Sequence, residues 1–168
     1  PPPSPSRTTP HSAGSPSPTA DLGVCLVTGG NGFLGAHVVR MLCGLDGVSS
    51  VHVVDLQPPR SALHPKATFT QASITDAAVL GELFARVKPA SIFHLAALID
   101  LRPEVGWGSP SAKLDAVNLA GTLRLLQLAR AHGTRQLVYT SSIEVIPSPR
   151  ARLSRYVLHT RPCPSLAT

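Results

Sequence analysis

Three glycines, each three residues after the last, follow a short apolar run near the start of this sequence. Residues 22–28 read LGVCLVT, and Gly29, Gly32 and Gly35 then form G-x-x-G-x-x-G. Each glycine has a separate use. The first permits a tight turn off a strand, the second lets backbone approach a ligand, and the third lets the following helix pack close. The start of a helix carries unpaired N–H groups and partial positive charge, so such a turn suits a pyrophosphate. Phe33 and Leu34, between the last two glycines at the helix start, belong to the same candidate phosphate turn. Asp55 stands 20 residues after Gly35, at the end of the apolar run VHVVDL. A carboxylate there can accept hydrogen bonds from the adenosine ribose hydroxyls and repel a 2′-phosphate, which favours NAD over NADP. Arg60 follows closely. It reads either as a solvated loop residue or as a partner for a 2′-phosphate.

These groups need a scaffold, and the pattern between residues 21 and 146 supplies one. Apolar runs at 22–28, 51–56, 67–71, 91–96 and 136–142 read as strands, the third being the weakest. Helices are expected between them. One runs over 32–43, with Leu34, Val38 and Leu42 on its apolar face and Gly44 and Gly47 to end it. A second is capped by Asp76, runs to Val87 and is closed by Pro89. A long third helix spans 113–132, with Leu114, Val117, Gly121, Leu125 and Leu128 along one face, and Gly133 ends it. Strands alternating with helices imply an α/β fold: a Rossmann-type, doubly wound parallel sheet of about five strands. A ligand is expected beyond the carboxyl ends of the strands, at the switch point between the first and the fourth.

Composition bounds the remaining function classes. The net charge is +6, but five of the 15 basic residues lie in 1–20 and 147–168, where no acid occurs. The body therefore carries 10 basic against 9 acidic residues, which argues against a nucleic-acid face. Seven of the 17 prolines fall in 1–20 and four in 147–168. The first segment is too polar to build a core, and the second is basic, Pro-rich and without period; both tails are expected to be disordered or irregular. No run of about 18 apolar residues occurs, so the sequence shows no membrane span. Cys25 and Cys43 read as buried free thiols, with Cys163 in the tail. Three cysteines without close spacing point to a reducing, cytoplasmic setting and away from zinc, and the seven histidines show no ligand spacing. No metal is expected.

Four segments resemble the extended short-chain dehydrogenases: TGGNGFLG, HLAALID, VNLAGT and YTSSIEV. The stretches Ala97-Leu98-Ile99-Asp100 and Ser141-Ser142-Ile143-Glu144-Val145 are most similar to the 3β-hydroxysteroid dehydrogenase/isomerase family, over residues 22–146. The resemblance implies an NAD-dependent oxidoreductase acting on the CH–OH group of a steroid-like substrate, and leaves room for a homodimer and for endoplasmic-reticulum membrane association of a full-length parent. It implies that Ala96 and Ala97 line the cofactor, and that Asn118 fixes the long helix against the fourth strand. Ser142 would hydrogen-bond the reacting oxygen, with Ser141 second to it. Ser73 stands where the family carries an acid that contacts adenine.

The family's proton acceptor is a Tyr-x-x-x-Lys pair on a helix after the fifth strand. A tyrosine of pKa near ~10 needs the lysine charge to act near neutrality. The lysines of this sequence are Lys66, Lys88 and Lys113, and Tyr156 is followed four residues later by Thr160. The resemblance also fades after Val145. The sequence is therefore expected to be the cofactor-binding part of such a dehydrogenase, inactive alone. The alternative is a truncated dinucleotide-binding module or a gene-model fragment.

Overall fold

The computed structural model describes residues 21–99 and 112–141. The expected tails at 1–20 and 147–168 lie outside these residues, as do Cys163 and Tyr156. Five parallel strands form one sheet in the order β3-β2-β1-β4-β5. They are β1 (Gly23–Thr28), β2 (Val48–Asp55), β3 (Ala67–Gln71), β4 (Ser91–His94) and β5 (Gln136–Tyr139). The chain builds outward from β1 to β3, then crosses back to pair β4 with β1, Thr28 lying opposite His94. The crossing opens the expected switch point beyond the ends of β1 and β4.

Helices cover both faces. Helix α1 (Phe33–Cys43) packs on the face formed by Cys25, Val27, Val51 and Val53. Helices α2 (Ala77–Val87) and α3 (112–131) close the other face around Leu26, Leu80, Phe84, Ile92 and Leu125. Alternate residues of β1 thus serve opposite cores, as a strand buried on both sides requires. Cys25 and Cys43 are buried free thiols, and burial together with Cys43 pushes the Cys25 thiol up to about 11.

The helix ends follow their sequence signals. Asp76 accepts a hydrogen bond from the Val79 N–H at 3.1 Å and caps α2. Lys88 ends it in the left-handed region at φ 47°, just before Pro89. Among the described residues no helix is long and apolar enough to cross a membrane.

Several details differ from the sequence expectation, among them β5, expected over 136–142, which ends at Tyr139 with Thr140 and Ser141 outside it. Leu34 is 51% exposed and Val38 only partly buried, so the buried stripe of α1 is Gly35, Val39, Leu42 and Cys43, of which only Leu42 was among the expected Leu34, Val38 and Leu42. The reason is Gly35: without a side chain it lets the helix start press against the strand turn, which rotates Leu34 outward. Strand β4 ends at His94, two residues early, because the Ala96 N–H turns to the Thr28 hydroxyl. The third helix is not uniform either. It opens as Ala112–Leu114, widens into π-type turns over Asp115–Gly121, and resumes as Thr122–Ala131. Such widened turns inside an α-helix mark functional sites often enough to direct attention there.

Candidate functional site

The turn after β1 is shaped by what is missing from it. Gly29 adopts φ +71°, and a Cβ there would lie 2.7 Å from the Ala96 nitrogen. A Cβ on Gly35 would collide with the Gly29 carbonyl oxygen and come within 2.6 Å of the Gly30 Cα. Gly32 differs from both. It is the N-cap of α1 at φ −71° and ψ 175°, an extended conformation open to any residue, and its side-chain position meets only the Gly29 oxygen at 3.3 Å. No side chain caps this helix. Its first-turn N–H groups have no partner within the helix and face an approach kept free of side chains, as an anionic group requires.

Beside the turn opens a cleft of about 640 Å³. Gly29 and Gly32 form its middle, Asp55, Arg60 and Ser73 lie toward one end, and Ala96, Ala97, Leu98 and Lys113 toward the other. The cleft therefore spans the carboxyl ends of β2, β1 and β4. A dinucleotide laid across it would place adenosine near Asp55 and pyrophosphate at Gly32.

Both oxygens of the Asp55 carboxylate are in use. One accepts the Asn31 N–H and the other the Gln57 N–H, each at 2.9 Å. The Asn31 side chain reaches on to the Gln57 carbonyl, so turn and loop are tied together through the acid. Each carboxylate oxygen retains a lone pair for a further donor, such as a ribose hydroxyl. Ser73 accepts the Thr75 N–H at 3.1 Å and shares a 2.7 Å bond with the Thr75 hydroxyl.

At the far end the backbone of Leu98 is held twice by one side chain. Its N–H donates to Asn118 Oδ1 and its carbonyl accepts from Asn118 Nδ2, both at 2.8 Å. Asn118 stands in the widened segment of α3, and the pair fixes that segment to the chain leaving β4. Phe33, 88% exposed, and Leu34 project from the first turn of α1, and neither borders the cleft with its side chain. Their N–H groups are what they can offer a ligand. Ser141 is exposed after β5, and Ser142 lies outside the described residues.

Sequence reasoning missed a chain of polar groups under the Ala96–Leu98 wall, buried at Thr28 and His94 and half-buried at Thr122 and Asn118. The Ala96 N–H donates to Thr28 Oγ1 at 3.3 Å, and Thr28 Oγ1 lies 2.6 Å from His94 Nδ1. His94 Nε2 lies 2.9 Å from Thr122 Oγ1, which donates to the Asn118 carbonyl at 2.8 Å. Burial holds the His94 imidazole below the ordinary histidine pKa. The ring is then neutral near pH 7 and carries a single N–H. Nothing local in the sequence announces this chain, because its partners stand 66 and 28 residues from His94.

Known proteins resemble this chain in fold and sequence. A UDP-glucose 4-epimerase of Thermus thermophilus, solved with NAD, superposes with a TM-score of 0.61 and 30% identity over 71% of this chain and 37% of its own. A 3 beta-hydroxysteroid dehydrogenase/Delta 5-->4-isomerase of Mycobacterium tuberculosis is 38% identical over 137 residues, 79% of this chain and 35% of that protein. A UDP-glucose 4-epimerase of Mycolicibacterium smegmatis is 41% identical over 125 residues, 70% of this chain and 38% of the relative. The human 3 beta-hydroxysteroid dehydrogenase type 7 is 39% identical over 130 residues, covering 73% of this chain and 33% of its own. The chain thus spans about a third of the length of these curated relatives. The sequence pattern of one family matches residues 25–166, running from β1 past the region where the sequence resemblance fades. With the glycine turn, the acid that ends β2 and the β1/β4 crossing all in place, this chain belongs to the NAD dependent epimerase/dehydratase family.

Proposed function

We propose that the cleft binds NAD, and that in the whole protein it serves oxidation of a secondary alcohol. The observation that carries the reading is the open N-cap at Gly32, flanked on one side by Asp55 and on the other by Ala96 and Ala97. The turn would hold the pyrophosphate through the N–H groups of Phe33, Leu34 and Gly35. Asp55 would accept from the adenosine ribose and disfavour a 2′-phosphate. Bound there, NAD would supply the acceptor for a hydride leaving the carbinol carbon. The hydroxyl proton must leave to a base, while Ser142 would steady the reacting oxygen.

Two substrate classes share this first step. A 3β-hydroxysteroid is favoured by the relatives from M. tuberculosis and human, and by the segment 97–100. A nucleotide sugar is the second reading, because the M. smegmatis epimerase is 41% identical. The sequence holds no lysine after Lys113, so these 168 residues are expected to bind the dinucleotide without turning over either substrate.

The test is a fluorescence titration with NADH. Saturable binding by the parent chain is expected, together with its loss in Gly32→Val. Valine is tolerated by the extended backbone at position 32, but its branches fill the approach to the helix start. A folded Gly32→Val chain that binds NADH as tightly as the parent would remove the turn from the site.

A further inference from the structure

The polar chain beneath the cleft wall has one self-consistent direction when the His94 ring is neutral. Thr28 Oγ1 already accepts from the Ala96 N–H, so its own hydrogen is free to point at His94 Nδ1. Thr122 Oγ1 already donates to the Asn118 carbonyl, so it is free to accept from His94 Nε2. The Thr122 hydroxyl therefore asks for a donor at Nε2, which in a neutral ring leaves Nδ1 as the acceptor for the Thr28 hydrogen. A neutral imidazole protonated at Nε2 satisfies both. A cationic imidazole would have to donate at both ends, and the Thr28 hydroxyl would have to turn its hydrogen away and accept a second bond.

The chain also joins three elements at the cleft end of the sheet. Thr28 closes β1 immediately before Gly29, His94 closes β4, and Thr122 sits one turn beyond Asn118 in α3. Its outer ends touch two groups that shape the wall: the Ala96 N–H, and Asn118, which clamps Leu98. Among the described residues no charged group shifts the ring, and burial alone does so. Tyr139 of β5 stacks on it with centroids 5.2 Å apart.

We propose that His94 is a positioning residue for the cofactor cleft. It accepts from Thr28 and donates to Thr122, and so sets the distance between the glycine turn and the wall formed by Ala96, Ala97 and Leu98. This rests on the reading that the cleft takes a dinucleotide. His94 touches no ligand itself, because it is fully buried. It acts through the backbone at positions 96–98 and through Asn118.

The test separates positioning from plain structural support by comparing Thr122→Val with Thr122→Ser in the full 168-residue chain. Valine keeps the branched shape and leaves the His94 N–H without an acceptor, whereas serine keeps the hydroxyl. NADH titration should show affinity reduced about tenfold in Thr122→Val and within about twofold of the parent in Thr122→Ser. Nitrogen NMR of the parent imidazole near neutral pH should show His94 neutral with its hydrogen on Nε2. If Thr122→Val melts lower but binds NADH like the parent, His94 only supports the fold and the inference fails. A hydrogen found on Nδ1 would overturn it as well. If the parent binds no NADH, the dinucleotide reading itself falls and takes this one with it. Binding by the parent and Thr122→Val alike would sink only the inference.

Discussion

The two ends of the cleft reach their shape by opposite means. At the turn after β1, conformation is set by absent atoms, since Gly29 and Gly35 leave gaps that neighbouring backbone fills. At the wall after β4, conformation is set by atoms that must be present: Thr28, His94, Thr122 and Asn118, each bonded to the next or to the wall. Steric specification tolerates almost no change and responds little to solution conditions. Polar specification is graded. A lost hydrogen bond costs about 1–3 kcal/mol when its partner stays buried, and protonation can weaken it without any mutation. The turn should therefore fail abruptly, and the wall by degrees.

The largest effect is expected at Gly35. Alanine there would drive its Cβ into the Gly29 oxygen and the Gly30 backbone, neither of which is the flexible end of a side chain. We expect Gly35→Ala to destabilise the fold by at least about 3 kcal/mol, read from the midpoint of chemical denaturation. The loss should be similar at about pH 7.5 and about pH 5.5, since no titrating group is involved. A variant within about 1 kcal/mol of the parent would mean that α1 can slide away from the sheet, and the contrast between the two ends would collapse.

A smaller loss is expected at Asn118. Alanine would leave both the N–H and the carbonyl of Leu98 without their side-chain partner. About 2 kcal/mol is expected, because water can reach part of the vacated space. Amide exchange gives the sharper readout. The Leu98 N–H should exchange faster in Asn118→Ala, while amides of β1 and β2 keep their protection. Uniform loss of protection would show that the clamp supports the whole sheet rather than the wall.

How much of this was legible in the sequence follows the same division. Glycines at positions 29, 32 and 35 have few alternative uses after an apolar run, so the turn, the strand order around it and the place of the cleft could be read directly. Asp55 was legible as an acid at a strand end, but its ties to Asn31 and Gln57 were not, because backbone N–H groups carry no sequence signal. Leu34 misled for a physical reason. Apolar periodicity marks a face, but a glycine on the neighbouring face can bring the helix closer than any side chain allows, and Gly35 does so. The widened turns around Asn118 and the bonds of His94 depend on residues far apart in the chain. Threonine and histidine occur in strands and helices for too many reasons to be singled out by type alone.

Acidification offers the finest probe of the wall, because it acts on polar specification only. Two buried histidines contribute. Burial and the nearby Arg86 lower His52 to about 4, and its ring nitrogens lie 2.7 and 2.9 Å from the hydroxyls of Thr68 and Thr70. Burial lowers His94 in the same direction, with hydroxyls and the Tyr139 ring against it. An unfolded histidine titrates near ~6.5. Above that pH neither state binds the proton and stability is unaffected. As pH falls below it, the unfolded chain takes up protons that the folded chain refuses, so stability declines toward the folded pKa. At about pH 5.5 the loss at His52 is expected to be about 1 kcal/mol relative to about pH 7.5. Denaturant titrations at the two pH values should show it, and His52→Gln should remove its share of the slope. What remains in that variant is expected from His94, whose pKa burial also lowers. NADH affinity should then follow His94 rather than His52, since the His52 ring bonds to β3 and lies away from the wall. An acid-induced loss of affinity that vanished in His52→Gln would place the pH sensitivity on the β2–β3 side and remove His94 from the control of the cleft.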